Sequence, residues 1–106
     1  APPENAVVRR YRRALFSVPV TFHHLAAGGV RTSRGISLDI SEGGLGALVQ
    51  GNLEVGETVA VDLPLAEQTL SAVAIVRHTS NLGSGFEFVG LTPEERAQIT
   101  SVVGSA

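Results

Sequence analysis

The stretch ISLDISEGGLG, residues 36–46, predicts a β-strand that ends in a glycine turn. Ile36, Leu38 and Ile40 alternate with polar residues, which is the two-residue period of a strand that buries one face. Gly43-Gly44 breaks this alternation, and the apolar pattern resumes directly afterwards. We therefore expect the three aliphatic side chains to face a core and the polar residues between them to face outward.

The same period recurs along the rest of the chain and predicts a small all-β barrel. The predicted strands are Leu15–His24, Val30–Ser41, Leu45–Val49, Glu57–Leu63, Leu70–His78 and Gly85–Val89. Leu70–His78 is mostly apolar, which favours burial on both of its faces. Short strands joined by glycine-rich turns are typical of a closed or nearly closed antiparallel barrel.

The end of the chain predicts one short α-helix at residues 92–103. Thr92-Pro93-Glu94-Glu95 supplies an N-cap, a proline at the first helical position and a capping-box glutamate. Apolar residues then recur at helical spacing, and Gly104 is expected to end the helix.

Length and composition are those of a single packed domain. The chain has 106 residues, of which 43% are hydrophobic and 17% charged. It contains no cysteine, which excludes disulfides, thiolate metal sites and cysteine nucleophiles. The sequence shows neither an apolar run long enough to span a membrane nor a secretory signal, so we expect a cytoplasmic protein.

The charge is distributed unevenly and points to an anionic partner at the N-terminus. In residues 1–13, four arginines against Glu4 give a net charge of +3, whereas four arginines against nine carboxylates give −5 in residues 14–106. Within the cluster Arg9-Arg10-Tyr11-Arg12-Arg13, Arg9 and Arg13 are spaced to reach one anion, and guanidiniums also donate to guanine O6 and N7. The alternative is an ordinary solvated basic turn.

Asp39 and Ser41 are expected to project together from the outer face of their strand. A carboxylate such as that of Asp39 is able to accept hydrogen bonds from the edge that distinguishes guanine from adenine, and a hydroxyl such as that of Ser41 is able to donate to a phosphate or a base. Gly43 and Gly44 let backbone amides approach a ligand. The alternative is a polar strand end that Asp and Ser cap locally.

Metal and catalytic sites are not indicated. His23 and His24 are adjacent and face opposite sides of a strand, and His78 is distant in sequence, so we expect surface histidines rather than a zinc site. Asp39 and Ser41 lie on one strand without the sharp turn that exposes a nucleophilic serine. The sequence therefore favours a binding protein that needs no cofactor over an enzyme.

Taken together and in order, these motifs resemble the PilZ family. Its ligand motif R-x-x-x-R matches Arg9–Arg13, and (D/N)-x-S-x-x-G matches Asp39–Gly44. The resemblance continues through Leu53–Leu63, Gly85–Phe88 and Thr92–Glu95. It implies a single domain over residues 1–106: a flexible arginine-rich arm at 1–14, a six-stranded antiparallel β-barrel at 15–91 and a C-terminal α-helix at 92–103.

The resemblance also implies binding of the bacterial second messenger cyclic di-GMP. In such domains the arm folds over the ligand, and a protein partner or an adjoining domain reads the changed surface. The residues that the resemblance assigns to the ligand are Arg9, Arg10, Arg13, Asp39, Ser41, Gly43 and Gly44.

Two departures from the family pattern affect the ligand site. Val8 occupies the position at which an arginine is associated with a stacked ligand pair, so we expect one ligand molecule per domain. The chain has no tryptophan, so stacking on guanine falls to an arginine of the arm, to Arg77 or to His78.

Two other functions stay open at this stage. One is a barrel that binds single-stranded nucleic acid through the arginine cluster. The acidic body and the scarcity of aromatic residues argue against it, and nucleic acid is not the expected partner. The other is a PilZ-like protein-interaction module that has lost its ligand, which the intact motifs argue against.

Overall fold

The computed structural model describes residues 14–25, 31–65 and 68–105. Its strands are β1 (Ala14–Leu15), β2 (Pro19–His24), β3 (Arg31–Ile40), β4 (Gly44–Val49), β5 (Thr58–Pro64), β6 (Thr69–Ser80) and β7 (Gly83–Val89), and the helix α1 spans Pro93–Ser105.

Six of these strands close into a barrel. They are hydrogen-bonded in the order β3-β2-β5-β6-β7-β4, and a further pairing of β3 with β4 completes the circle. Every pairing is antiparallel. Closure leaves these six strands without an open edge. The predicted six-stranded antiparallel barrel with a C-terminal helix is confirmed, with β1 as one extra strand.

The predicted strand Leu15–His24 is divided into β1 and β2, which lie along the same edge of β3. The cause is Ser37, which is fully buried on β3. Its hydroxyl donates to the Phe16 carbonyl and accepts from the Val18 N–H at 2.9 Å. The serine side chain therefore replaces the backbone partners of the Phe16 carbonyl and the Val18 N–H, while the Phe16 N–H still donates to the Leu38 carbonyl and the Ser37 N–H to the Val18 carbonyl. The expectation of one continuous strand is wrong.

The prediction that Ile36, Leu38 and Ile40 all face the core is wrong for the first two. Ile40 is fully buried, but Ile36 and Leu38 are 51% and 39% exposed. The pairing of β3 with β4 shifts register between Ser37 and Asp39, which makes Leu38 the extra residue of a β-bulge. Before the bulge, Ser37 therefore faces the core in place of its neighbours Ile36 and Leu38.

The core fills the inside of the barrel. Phe22 of β2 and Phe86 of β7 stack with ring centroids 4.7 Å apart. The largest fully buried side chains are Phe22, Ile40, Leu45, Leu63 and Ile99. Burial on both faces of the fifth predicted strand is wrong, because burial along β6 alternates and Val73 is 39% exposed.

Helix α1 begins where its capping residues predict, and it packs against the barrel. The Thr92 hydroxyl accepts from the Glu95 N–H at 3.1 Å, and the Glu95 carboxylate accepts from the Thr92 N–H at 2.9 Å. Ile99 and Val103 are buried. The helix extends to Ser105, so Gly104 does not end it as expected.

Candidate functional site

Four residues from four adjacent strands form a row across the outer face of the barrel. Asp39 of β3 pairs with Gly46 of β4, Gly46 pairs with Gly85 of β7, and Gly85 pairs with His78 of β6. Directly paired residues on neighbouring strands place their side chains on the same face. We call these four residues the outer row.

The two glycines of the outer row give room to the side chains of Asp39 and His78. A Cβ atom added at Gly46 would lie 2.8 Å from Oδ1 of Asp39, and one added at Gly85 would overlap the His78 ring. Both flanking side chains therefore lean over the glycine of the neighbouring strand. Sequence reasoning included Gly85 in the family resemblance but assigned neither Gly46 nor Gly85 to the site, because the register that aligns them is a tertiary property.

Ser41 does not project outward beside Asp39, and that part of the prediction is wrong. Asp39 is half-buried, whereas Ser41 is only 2% exposed. The Ser41 hydroxyl oxygen accepts hydrogen bonds from the N–H groups of Gly43 and Gly44, each at 3.2 Å. β3 ends at Ile40, so the period of the strand no longer governs Ser41, which instead shapes the turn into β4.

Gly43 and Gly44 join this turn to β7. The Gly43 carbonyl accepts from the Phe88 N–H at 3.0 Å. Gly44 pairs with Glu87, and an added Cβ there would overlap the Phe86 carbonyl oxygen. A side chain at position 44 would therefore force the β4 and β7 backbones apart.

The arm joins the barrel next to the outer row. Ala14 pairs with Ile40 and Leu15 pairs with Asp39, so the chain enters β1 beside the carboxylate. Leu15 is 89% exposed there. The predicted ligand residues Arg9, Arg10 and Arg13 lie outside the described residues.

A second polar cluster lies between β2, β3 and β5. His24 is 6% exposed, which contradicts the expectation of surface histidines for this residue. Its Nε2 lies 2.8 Å from the Ser33 hydroxyl, and its Nδ1 contacts the Glu57 carboxylate. Arg31 lies 3.6 Å from the same carboxylate. The alternation of side chains along β2 points His24 into the barrel. Its partners satisfy polar atoms that burial would otherwise leave unpaired.

The serine–histidine–carboxylate order of this cluster does not make it a hydrolytic site. Ser33 is itself only 8% exposed and points inward from the third position of β3. A nucleophile needs access to substrate and a neighbouring oxyanion site. We interpret the cluster as structural.

His23 of β2 and Asp62 of β5 form a pair at the surface of these neighbouring strands. His23 Nε2 lies 2.7 Å from the Asp62 carboxylate, and Ser71 donates to it at 2.9 Å. The hydrogen bond from His23 lowers the pKa of Asp62 below its usual value, partial burial raises it, and the Ser71 hydrogen bond adds to the lowering. The net shift is downward, so the folded state favours the ionised carboxylate.

Within residues 14–25, 31–65 and 68–105, no group of three His, Asp or Glu side chains is placed to hold a metal ion. No helix in that part of the chain is long and apolar enough to cross a membrane.

Comparison with known proteins identifies the fold and the family. The family model of the PilZ domain matches residues 8–105. No curated protein sequence matches the chain significantly. Among solved structures, the chain is similar to the PilZ domain with c-di-GMP of YcgR from Escherichia coli, with 22% identity and a TM-score of 0.73 over 92% of this chain and 89% of that one.

Two further structures share the fold. YcgR in complex with c-di-GMP from Escherichia coli has 23% identity and a TM-score of 0.72 over 92% of this chain, which spans 45% of that protein. The PilZ domain of CeSA from a cellulose-synthesizing bacterium has 19% identity and a TM-score of 0.69 over 88% of this chain and 95% of that one. At these identities the likeness concerns the fold alone.

Proposed function

The chain belongs to the PilZ domain family, and we propose that it is a cyclic di-GMP receptor in the cytoplasm that binds its ligand without chemically changing it. The two similar structures of YcgR are of complexes with c-di-GMP. The observation that carries the proposal for this chain is the pairing of β1 with β3, because it joins the arginine-rich arm to the barrel beside Asp39.

Chain geometry brings the arm over the Asp39 end of the outer row. Arg9 precedes Ala14 by five residues, which span at most about 17 Å when extended. The outer row crosses three strand spacings and β1 stands one further spacing before Asp39, so His78 lies about 19 Å from β1. The backbone at Arg9 can therefore cover most of the row, whereas Arg13, bonded directly to β1, stays at its Asp39 end.

In the proposed complex, charge determines the orientation of the ligand. The two phosphodiesters of cyclic di-GMP are repelled by the Asp39 carboxylate and attracted by the arm, with Arg9, Arg13 and secondarily Arg10 as their partners. Asp39 then faces a guanine edge, where it accepts hydrogen bonds from N1–H and N2–H₂. This arrangement requires guanine rather than adenine at the carboxylate.

In the proposed complex, the turn after β3 contributes to ligand binding indirectly. Because the Ser41 hydroxyl already accepts two backbone N–H groups, its proposed role is to hold the backbone of Gly43 and Gly44 in place at the ligand surface. Ser41→Ala is then expected to weaken binding by loosening the turn.

Ligand binding is proposed to act by ordering the arm over the barrel. The surface that changes includes Leu15, which is 89% exposed beside Asp39. A protein partner or an adjoining domain would read the covered or uncovered state of this surface.

Calorimetric titration with cyclic di-GMP tests the proposal, with GTP and cyclic GMP as controls. We expect Arg13→Ala and Asp39→Ala to abolish measurable binding and to leave the circular dichroism spectrum unchanged. Arg96→Ala removes an exposed arginine on helix α1 and should bind as the wild type does. Full binding by both site variants would overturn the assignment of the site, and no binding by the wild type would overturn the function.

A further inference from the structure

A group of aliphatic side chains lies on the outside of the barrel, next to the outer row. Ile36 of β3 pairs directly with Leu48 of β4, and each side chain is about half exposed. Leu38 is exposed as well, and its Cδ1 lies 3.3 Å from the place where a Cβ on Gly83 would stand. Cδ2 of Leu48 lies 3.9 Å from the same place, so the two leucines converge over this glycine. We call Ile36, Leu38 and Leu48 the aliphatic patch.

Arg34 supplies a positive charge at one end of the aliphatic patch. It is exposed and lies two residues before Ile36 on β3, so its side chain is on the same outer face. Within the described residues, Arg34 has no ion pair and no side-chain hydrogen bond, whereas Arg31 and Arg77 are each paired with a glutamate. The patch therefore offers a partner an apolar contact in line with a cation whose charge no described carboxylate offsets.

The N-terminal arm carries a complementary pattern. Glu4 is its only carboxylate, and Ala6 and Val8 follow at the two-residue spacing that places side chains on one side of an extended chain. The exposed positions of β3 have the same order, one charge and then two aliphatic residues. We propose that residues 4–8 dock in an extended conformation on the aliphatic patch, with the Glu4 carboxylate at Arg34. These residues lie outside the described part of the chain and enter the proposal through their sequence and their attachment to β1.

The attachment of the arm to the barrel sets the direction in which it docks. β1 runs antiparallel to β3 and begins with Ala14 opposite Ile40, so the chain before Ala14 leaves past the end of β3. It must reverse to reach the patch. Residues 9–13 are long enough for that reversal, since connections of about two to six residues are the commonest. After the reversal Val8 lies nearest the end of β3 and Glu4 furthest from it, which is the order that the proposed contacts require.

Charge favours the arm over other occupants of the patch. The described residues that line the cleft beside the patch include Arg34 and no carboxylate, so a second copy docked through the same face would leave both of its arginines unpaired. An anionic membrane would be repelled by residues 14–106, whose net charge is −5. Glu4 has the required sign, and its covalent attachment gives it a high effective concentration at the patch.

Docking fixes the arginine cluster at both of its ends. The pairing of β1 holds Ala14, and the aliphatic patch holds Val8, so Arg9 and Arg13 both stand at the Asp39 end of the outer row before a ligand arrives. An arm that is ordered in advance loses less conformational entropy on binding. This consequence for affinity rests on the proposed cyclic di-GMP function, whereas docking itself is a property of the ligand-free protein.

A spin label on the arm tests docking without any ligand. The chain has no cysteine, so Asn5→Cys carries a single nitroxide, at a position that alternates with the docked side chains and points away from the barrel. In the ligand-free protein we expect the label to broaden the methyl resonances of Ile36 and Leu48. The methyl resonances of Val73 should stay sharp, because it lies on β6 at the far side of the barrel.

Charge reversal tests the ion pair on which the register depends. Arg34→Glu in the labelled protein should remove the broadening, and adding Glu4→Arg to the same chain should restore it. Arg96→Glu makes the same change of charge on helix α1 and should leave the broadening as it is. Cyclic di-GMP affinity should be about three- to tenfold weaker in Arg34→Glu, because repulsion replaces an exposed ion pair, and should recover in the double variant.

The outcomes separate docking from the receptor function. Broadening that survives Arg34→Glu, or that does not return in the double variant, overturns the docking. Broadening of an isotope-labelled chain by the nitroxide of a separate chain identifies a second copy as the occupant and overturns it too. Wild-type affinity in an undocked Arg34→Glu protein overturns the consequence for the ligand. No binding of cyclic di-GMP by the wild type overturns the receptor function, and the broadening then still decides whether the arm docks.

Discussion

Replacing Gly44 with alanine tests whether this motif glycine is required by the barrel itself. Gly44 is buried, pairs with Glu87, and has the Phe86 carbonyl oxygen where a Cβ would stand. The obstacle is backbone rather than the end of a flexible side chain. The added methyl group can be accommodated only if β4 and β7 move apart, next to the hydrogen bond between Gly43 and Phe88.

The expected cost of Gly44→Ala is that of overpacking a close-packed interior, about 1–3 kcal/mol of unfolding free energy. At roughly 4–8 °C per kcal/mol for a domain near this size, the midpoint should fall by roughly 8–16 °C if the cost is about 2 kcal/mol. Urea denaturation followed by circular dichroism gives the free energy directly, and a thermal scan gives the midpoint.

Gly104→Ala is the matched control for this substitution. Gly104 lies in α1, and an added Cβ there meets no atom within 4 Å. Because alanine favours the helix over glycine, this variant should be as stable as the wild type or more stable by up to about 1 kcal/mol. An unfolding free energy for Gly44→Ala within about 0.5 kcal/mol of the wild type would refute the steric argument, since ordinary surface substitutions fall in that range.

Three further predictions concern other parts of the chain. Ser37→Ala removes a fully buried hydroxyl that bonds the part-buried Val18 N–H, and it should lower the unfolding free energy by about 1–3 kcal/mol in urea denaturation; a change near zero would contradict this role of the serine. Because the His23 hydrogen bond lowers the pKa of Asp62 below its ordinary value of 3.8, its stabilising contribution is present above that pH and is lost as the pH falls through the folded-state pKa. Asp62→Asn should therefore reduce the loss of unfolding free energy at acidic pH, measured by urea denaturation at a series of pH values. An unchanged pH dependence would contradict this. Because Val8 replaces the arginine associated with stacked ligand pairs, calorimetry should give one cyclic di-GMP per chain, and a stoichiometry of two would contradict the expectation.

Local sequence patterns predicted the elements of this fold because their causes are local. Glycine breaks and two-residue periods located all six barrel strands to within a few residues, and the reciprocal capping of Thr92 and Glu95 located the start of the helix. The positions that failed involve tertiary partners. Ser37 divides the first predicted strand by bonding across to Phe16 and Val18, and His24 is buried because Glu57 and Ser33 meet it from other strands.

By itself, the sequence determined which residue types are available for a ligand: an arginine-rich arm, and a carboxylate at Asp39 shortly before a glycine turn. Only the tertiary structure decided which of them share a face. The bulge at Leu38 reset the side-chain alternation of β3, and the register of four strands aligned Asp39 with His78 across two glycines. Strand register depends on contacts between residues distant along the chain, so no local period contains it.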